Sequence, residues 1–218
     1  MDCCREPRGY EDVFSRRFSK SLARRYQRRG LTAVGRRMVR FVTAHGIDEA
    51  TVLEIGGGVG DIEVDLLRHG ARSATNLELS SNYDEDARAL MDRYGLSARM
   101  TRRAIDIALA PDTVEPADVV VLNRVVCCYP DHARLLSAAG AHAKSVLVFS
   151  HPTIHVLWRL SAWWDNVWYR FRSSDFRAYV HDPAAMVAAV EGAGLRQVMR
   201  HRGPSWTVLG FERLAPLE

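Results

Sequence analysis

The feature that most constrains the fold of this chain is an alternation of short apolar strands with helices between residues 51 and 150. Strand patterns occur at 51–55, 74–79, 98–105, 117–122 and 145–149, and helical patterns occur at 61–69, 82–94 and 131–143. Such alternation predicts a parallel sheet whose strands are joined by right-handed helical crossovers. We therefore expect an α/β fold with a mostly parallel sheet.

Two amphipathic helices are predicted ahead of this sheet. Aromatic and aliphatic side chains recur every four positions over 10–29, with arginines between them, and a second helical pattern covers 32–45. These helices are basic: residues 1–40 carry 12 Lys and Arg against four acids. We interpret residues 1–46 as an N-terminal helical cap, with a solvated basic face favoured over a nucleic-acid interface.

The end of the chain predicts an antiparallel hairpin. A helix that Asp182–Pro183 opens and Gly192 ends is followed by strands at 196–201 and 206–213, with Gly203–Pro204 between them. A tight turn between two strands is typical of a hairpin at a sheet edge. We expect residues 47–218 to form one domain with a seven-stranded sheet.

A glycine-rich loop follows the first strand, in the pattern Glu54-x-Gly56-x-Gly58-x-Gly60. Glycines that join a strand to a helix let a ligand approach the backbone at the helix N-terminus. A dinucleotide fingerprint would require glycine where Asp61 lies, and this carboxylate would repel a pyrophosphate. The phosphate-loop pattern Gly-Lys-Ser/Thr is absent. An acid before the glycines instead suits a ligand that carries an ammonium group.

The segment VLEIGGGVG at 52–60 resembles the first motif of class I S-adenosylmethionine-dependent methyltransferases. The resemblance covers about 45–150, and it extends to the closing hairpin. It implies a Rossmann-like fold with S-adenosylmethionine as the cofactor. The cofactor-binding residues that it implies are Glu54, Gly56, Gly57, Gly58, Gly60, Glu78, Asp106 and Asn123.

The resemblance also implies a role for each acid. Glu54 would orient the glycine loop and the amino end of the cofactor. Glu78, 18 residues after Gly60, would accept both ribose hydroxyls, and Asp106 would accept from the adenine amino group. The alternative for Glu78 and Asp106 is that they cap helices.

The exit of the fourth strand is where the resemblance places the meeting of cofactor and acceptor. Arg124 is a candidate acceptor-binding residue there, and Tyr129 is a candidate catalytic residue. His151 directly follows the fifth strand and is a candidate general base, with a capping role as the alternative. Cys127 and Cys128 are interpreted as packing residues, and no metal site is expected. The stretch lacks the Asn-Pro-Pro-Tyr loop with which many DNA amino-methyltransferases hold a flipped base.

An aromatic segment follows the fifth strand. Four of the five tryptophans lie between Trp158 and Trp168, and we interpret 152–178 as a lid-like insert in which Trp164 and Trp168 contact the acceptor. Tryptophan rings are costly to expose, so the alternatives are peripheral contact with a membrane and packing on the N-terminal helices or on a second subunit. The pattern leaves the oligomeric state open.

These observations together favour a cytoplasmic methyltransferase that acts on an O or N atom of a small, hydrophobic acceptor. Tyr129–Pro130 and the segment 176–181 are similar to magnesium protoporphyrin O-methyltransferases, so a tetrapyrrole carboxylate is an alternative acceptor. A protein that binds S-adenosylmethionine without catalysis is a second alternative. An NAD-dependent oxidoreductase is disfavoured by Asp61.

Overall fold

A computed structural model describes residues 9–153, 164, 166–171 and 174–214. Seven strands form one sheet in the order β3-β2-β1-β4-β5-β7-β6. The strands are β1 (Thr51–Ile55), β2 (Ser73–Leu77), β3 (Met100–Arg103), β4 (Ala117–Leu122), β5 (Ala143–Pro152), β6 (Leu195–Arg202) and β7 (Trp206–Arg213). The first five are parallel to one another, and β7 is antiparallel to both β5 and β6. This topology confirms the predicted Rossmann-like fold with a closing antiparallel hairpin.

Helices cover the sheet. They are α1 (Tyr10–Val13), α2 (Arg16–Arg29), α3 (Ala33–Ala44), α4 (Asp61–Arg68), α5 (Asp84–Tyr94), α6 (His132–His142), α7 (166–171) and α8 (Pro183–Glu191). None of the described helices is long and apolar enough to cross a membrane.

The helix predicted over 10–29 is two helices in the structure. Phe14 leaves the helical conformation, and the Ser15 side chain accepts a hydrogen bond from the Phe18 amide at 3.4 Å, which starts α2. A serine at this position satisfies an amide that has no partner within the helix. The apolar period of four continues across the break, so the sequence pattern did not reveal it.

The fifth strand is longer than predicted at both ends, because its start pairs with β4 and its end pairs with β7. It continues past Phe149 to Pro152, where it pairs with Trp206 at the start of β7. The third strand is shorter than predicted and covers Met100–Arg103 alone.

Alternating residues of the central strands enter two apolar layers. Val52 and Val119 belong to the layer that α2 to α5 cover, whereas Leu53 and Val120 belong to the layer that α6 and α8 cover. The N-terminal helices share the first layer, since the Phe41 ring of α3 lies directly against the backbone of Gly210. A Cβ added at that glycine would lie only 2.6 Å from the ring. Glycine at 210 therefore lets α3 pack directly on β7.

Candidate functional site

A cavity lies at the carboxyl ends of the parallel strands, the usual ligand position in open α/β sheets. With its mouth it has a volume of about 1200 Å³. The loops after β1, β2, β3 and β4 form one part of its wall, and α1 and α2 supply aromatic and aliphatic side chains to another. The lining residues from the helices and the turn between them are Tyr10, Phe14, Phe18, Leu22 and Arg25.

Gly56, Gly57 and Gly58 of the glycine loop line this cavity, whereas Gly60 does not and lies against Glu63 and Met91. Gly56, Gly58 and Gly60 have φ values of 65°, 54° and 77°, in the left-handed region that favours glycine. At Gly56 an added Cβ would lie 2.5 Å from a methyl carbon of Val125. At Gly57 it would lie 2.3 Å from the side-chain amide nitrogen of Asn76. The loop therefore has its conformation only because these positions lack side chains.

Glu78 follows β2, and its carboxylate binds the backbone of the glycine loop at Gly58. One carboxylate oxygen accepts from the Gly58 amide and the other from the Ser80 amide, both at 2.9 Å. Burial raises the pKa of the Glu78 carboxyl, and the two amide bonds oppose that rise. Glu78 lines the cavity beside these bonds and is not a helix cap, since the Ser80 side chain caps the turn at Ser81–Tyr83.

A buried polar network behind the loop was not predicted from the sequence. Asn76 donates to a carboxyl oxygen of Glu63 at 2.7 Å. Arg102 donates to the Gly58 carbonyl at 2.8 Å and to the Asn76 side-chain oxygen at 3.1 Å. Arg102 also pairs with Asp84 at 2.7 Å. The available signal was Glu63, an acid among the apolar residues of α4. The network fixes the outer side of the glycine loop.

Glu54 lies under the same loop, and one of its carboxyl oxygens has no hydrogen-bond partner among the described residues. Its side chain is 1% exposed, and this oxygen is Oε2. Burial raises the pKa of Glu54 strongly, and the neighbouring Glu63 raises it further. A cationic ligand group at this end of the cavity would compensate the buried carboxylate.

Because Glu54 and Glu63 are buried acids with raised pKa values, we expect the stability of the fold to depend on pH. Burial raises the pKa of Glu63 to about 8. Between about pH 4.5 and 8 the folded chain therefore keeps a proton that the unfolded chain has lost, and the free energy of unfolding falls as pH rises. We expect Glu63→Gln, which still accepts from Asn76, to flatten this fall and to stabilise the fold at pH 8 by about 1–3 kcal/mol.

Urea unfolding of both proteins across this pH range measures the effect. Glu115→Gln, at an exposed position, is the matched control and should leave the slope as it is in the wild type. Equal slopes for Glu63→Gln and wild type would show that Glu63 is ionised in the folded protein.

Asp106 and Tyr129 form a pair at the cavity wall. The Tyr129 hydroxyl donates to the two carboxylate oxygens of Asp106 at 2.9 and 3.1 Å, and Asp106 also accepts from the Ala108 amide at 3.0 Å. Burial and the charge of Asp106 raise the pKa of Tyr129. In this geometry the hydroxyl holds the Asp106 carboxylate, and the catalytic role of Tyr129 stays a prediction.

Asn123 and Arg124 both line the cavity at the end of β4. The Arg124 amide donates to the Ser150 hydroxyl at 2.9 Å, and this hydroxyl donates to the Asn123 side-chain oxygen at 3.0 Å. The loop after β4 is therefore tied to the neighbouring strand β5.

His151 lies outside this cavity. It lines a small separate cavity with Cys127 and Tyr179, and its Nδ1 atom is 2.8 Å from the Pro152 carbonyl oxygen. Burial lowers its pKa. Its role as a general base stays a prediction, without support from its position. Cys128, unlike Cys127, lines the main cavity.

The two candidate tryptophans of the aromatic segment are on the surface. Trp164 is 64% exposed and Trp168 is 57% exposed, and neither lines the cavity. These rings are therefore not part of the protein core. Trp158 and Trp163 lie outside the described residues, so the lid interpretation of 152–178 stays a prediction.

A family profile described as a methyltransferase domain matches residues 22–199. The chain belongs to the methyltransferase domain family. S-Adenosylmethionine is the cofactor of this methyltransferase, and the cavity fits it: an uncompensated buried carboxylate at Glu54 suits its ammonium group, and Glu78 and Asp106 offer acceptors to hydroxyl and amino groups. A search of curated proteins finds no match.

Solved methyltransferases share the fold at low identity. Magnesium protoporphyrin IX methyltransferase from Synechocystis PCC 6803 with bound SAH is 17% identical, with a TM-score of 0.70, over 94% of this chain and 97% of that one. An O-methyltransferase family protein from Burkholderia thailandensis is 18% identical, with a TM-score of 0.70, over 98% and 66%. An O-methyltransferase family 2 protein from Planctomyces limnophilus in complex with apigenin is 19% identical, with a TM-score of 0.66, over 98% and 63%.

Proposed function

We propose that this methyltransferase transfers a methyl group from S-adenosylmethionine to an O or N atom of a small, hydrophobic molecule. The observation that carries the proposal is the composition of one cavity. The polar cofactor residues of the strand ends line it together with aromatic side chains from the N-terminal helices, among them Phe14 and Phe18. An apolar acceptor would thus be held next to the cofactor.

Methyl transfer depends more on the position of the acceptor than on acid–base catalysis. Bound S-adenosylmethionine supplies a methyl carbon that is already electrophilic. The protein must align the acceptor atom with it and exclude water, and alignment alone contributes several kcal/mol to such reactions. Phe14 packs on the rings of Phe18, Tyr83 and Phe176, with centroids 5.8–6.2 Å apart, so the wall opposite the strands is built of interlocked aromatic rings.

The proposed acceptor also agrees with the likeness to solved structures. One of them is a methyltransferase named for magnesium protoporphyrin IX and another was crystallised with apigenin, and both compounds are flat and largely apolar. At these identities the likeness is one of fold, so a tetrapyrrole carboxylate remains the second candidate acceptor.

Methyl-labelled S-adenosylmethionine tests the proposal directly. The purified protein is incubated with this cofactor and an unfractionated extract of the source cells, which contains small molecules, RNA and protein, with the Gly58→Val variant as the inactive control. We expect label to appear in a low-mass product that partitions into an organic solvent. Tight cofactor binding with no transfer would instead support a non-catalytic binding protein, and label in RNA or protein would contradict a small acceptor. Binding of NAD in place of S-adenosylmethionine would overturn the cofactor assignment.

Tyr129→Phe separates positioning from catalysis. Removing the hydroxyl takes one of two donors from the half-buried Asp106 carboxylate, which costs about 1–2 kcal/mol. We expect the affinity for S-adenosylmethionine to fall by about tenfold, with kcat within about threefold of the wild type. Calorimetry and steady-state kinetics measure the two effects. A collapse of kcat at unchanged cofactor affinity would instead support the predicted catalytic role of Tyr129.

A further inference from the structure

Two arginines line the cavity beside the aromatic side chains of the helices. Arg25 pairs with Asp61 at 3.9 Å, which is near the limit for an ion pair. Arg124 forms no ion pair with any residue in the described part of the chain. Its guanidinium carbon lies 4.9 Å from the ring centre of Trp206, in a cation–π contact.

The backbone at Arg124 is held in an unfavourable conformation. Its φ is 64°, and among the described residues only Glu49 shares a positive φ without being glycine. Such a conformation costs about 1–2 kcal/mol and persists where the surroundings impose it, often at ligand sites. In this conformation the Arg124 amide donates to the Ser150 hydroxyl at 2.9 Å, and the arginine lines the cavity.

The charges of the cavity do not balance at Arg124. Four carboxyl groups line the wall. Glu54, Glu78 and Asp106 are the cofactor acids, and Asp61 lies next to Arg25. Burial and the nearby Arg25 lower the pKa of Arg124, and Asp61, which also pairs with Arg25, compensates the cation only in part. A negatively charged group on a ligand would complete the charge compensation of Arg124.

We propose that the methyl acceptor is an apolar carboxylic acid whose carboxylate binds the guanidinium of Arg124, with Arg25 as a second cation. Its apolar body would lie against the aromatic rings at Phe14 and Phe18. Arginine offers two parallel donors that match a carboxylate, and such charge-assisted pairs are stronger than neutral hydrogen bonds. The inference rests on the proposed function. It narrows the class of acceptor from hydrophobic molecules in general to hydrophobic molecules that carry a carboxylate.

Acids and their neutral amides test this inference on the protein loaded with SAH. Benzoate, naphthoate and octanoate are each compared with the matching primary amide by calorimetry. We expect at least one acid to bind about tenfold more tightly than its amide, because only the acid can pair with Arg124. A higher salt concentration should weaken binding of the acid and leave binding of the amide unchanged.

Variants assign the preference to Arg124. Arg124→Gln should abolish the preference for the acid and leave SAH affinity within about twofold of the wild type. Arg24→Gln, on the exposed face of α2, is the matched control and should keep the preference. The comparison of acids with amides is made on the wild-type protein, so it does not depend on whether a variant folds.

Three results would overturn the inference. They are acids that bind no better than their amides, a preference that survives Arg124→Gln, and a preference that Arg24→Gln removes equally. A protein that does not bind SAH at all would instead refute the proposed function.

Discussion

Gly58→Val is expected to lower the affinity for S-adenosylmethionine by about 100-fold or more. Gly58 has a φ of 54°, and its amide donates to Glu78. A β-branched side chain disfavours this conformation and would extend from the cavity wall towards the Tyr83 ring, whose nearest atom is 3.5 Å from an added Cβ. The substitution thus changes the loop and occupies the space of the ligand. Isothermal titration calorimetry measures the loss.

Gly95→Val is the matched control for this variant. Gly95 also has a left-handed φ, of 68°, but nothing lies within 4 Å of its added Cβ. Both variants carry a similar backbone penalty of about 1–2 kcal/mol, so both should lose some thermal stability. Only Gly58→Val should lose cofactor binding. Wild-type affinity in Gly58→Val would show that the glycine loop does not contact the cofactor.

Glu78→Ala is expected to weaken cofactor binding by about tenfold to 100-fold. Hydrogen bonds to a charged group contribute about 1.5–3 kcal/mol each, and this carboxylate accepts from the amides of Gly58 and Ser80. Its loss would release the glycine loop and remove the proposed acceptor for the ribose hydroxyls. Calorimetry with S-adenosylmethionine measures the affinity, and circular dichroism checks the fold.

Two further variants separate charge from shape. Glu78→Gln keeps an acceptor oxygen without the charge, so its affinity should lie between those of wild type and Glu78→Ala. Glu115→Ala removes an exposed acid and should bind as the wild type does. A change below twofold in Glu78→Ala, with the fold intact, would rule out a role for Glu78 in cofactor binding.

Local patterns predicted most of the elements, since short strands and amphipathic helices have distinct apolar periods. The strands at 51–55 and 117–122 agree with the structure to the residue, and the glycine loop follows the first of them. Element ends were less accurate where tertiary pairing decides them. The extension of β5 to Pro152 depends on β7, a strand more than 50 residues later in the chain.

The position of His151 shows a different limit of sequence patterns. A residue after a parallel strand is expected at the ligand edge of the sheet, but here the strand continues through His151 because it pairs with Thr207. The side chain consequently faces a separate cavity. Proximity along the chain to a strand end does not determine which cavity a side chain enters.

By itself, the sequence determined the α/β class, the glycine loop and the acids at the strand ends, because each depends on neighbouring residues and on the geometry that parallel strands share. Only the tertiary structure decided which distant groups meet. It placed Glu63, Asn76 and Arg102 together behind the loop and left Arg124 without a carboxylate partner among the described residues. Burial and charge compensation are properties of the packed chain, and they act between residues that no local pattern connects.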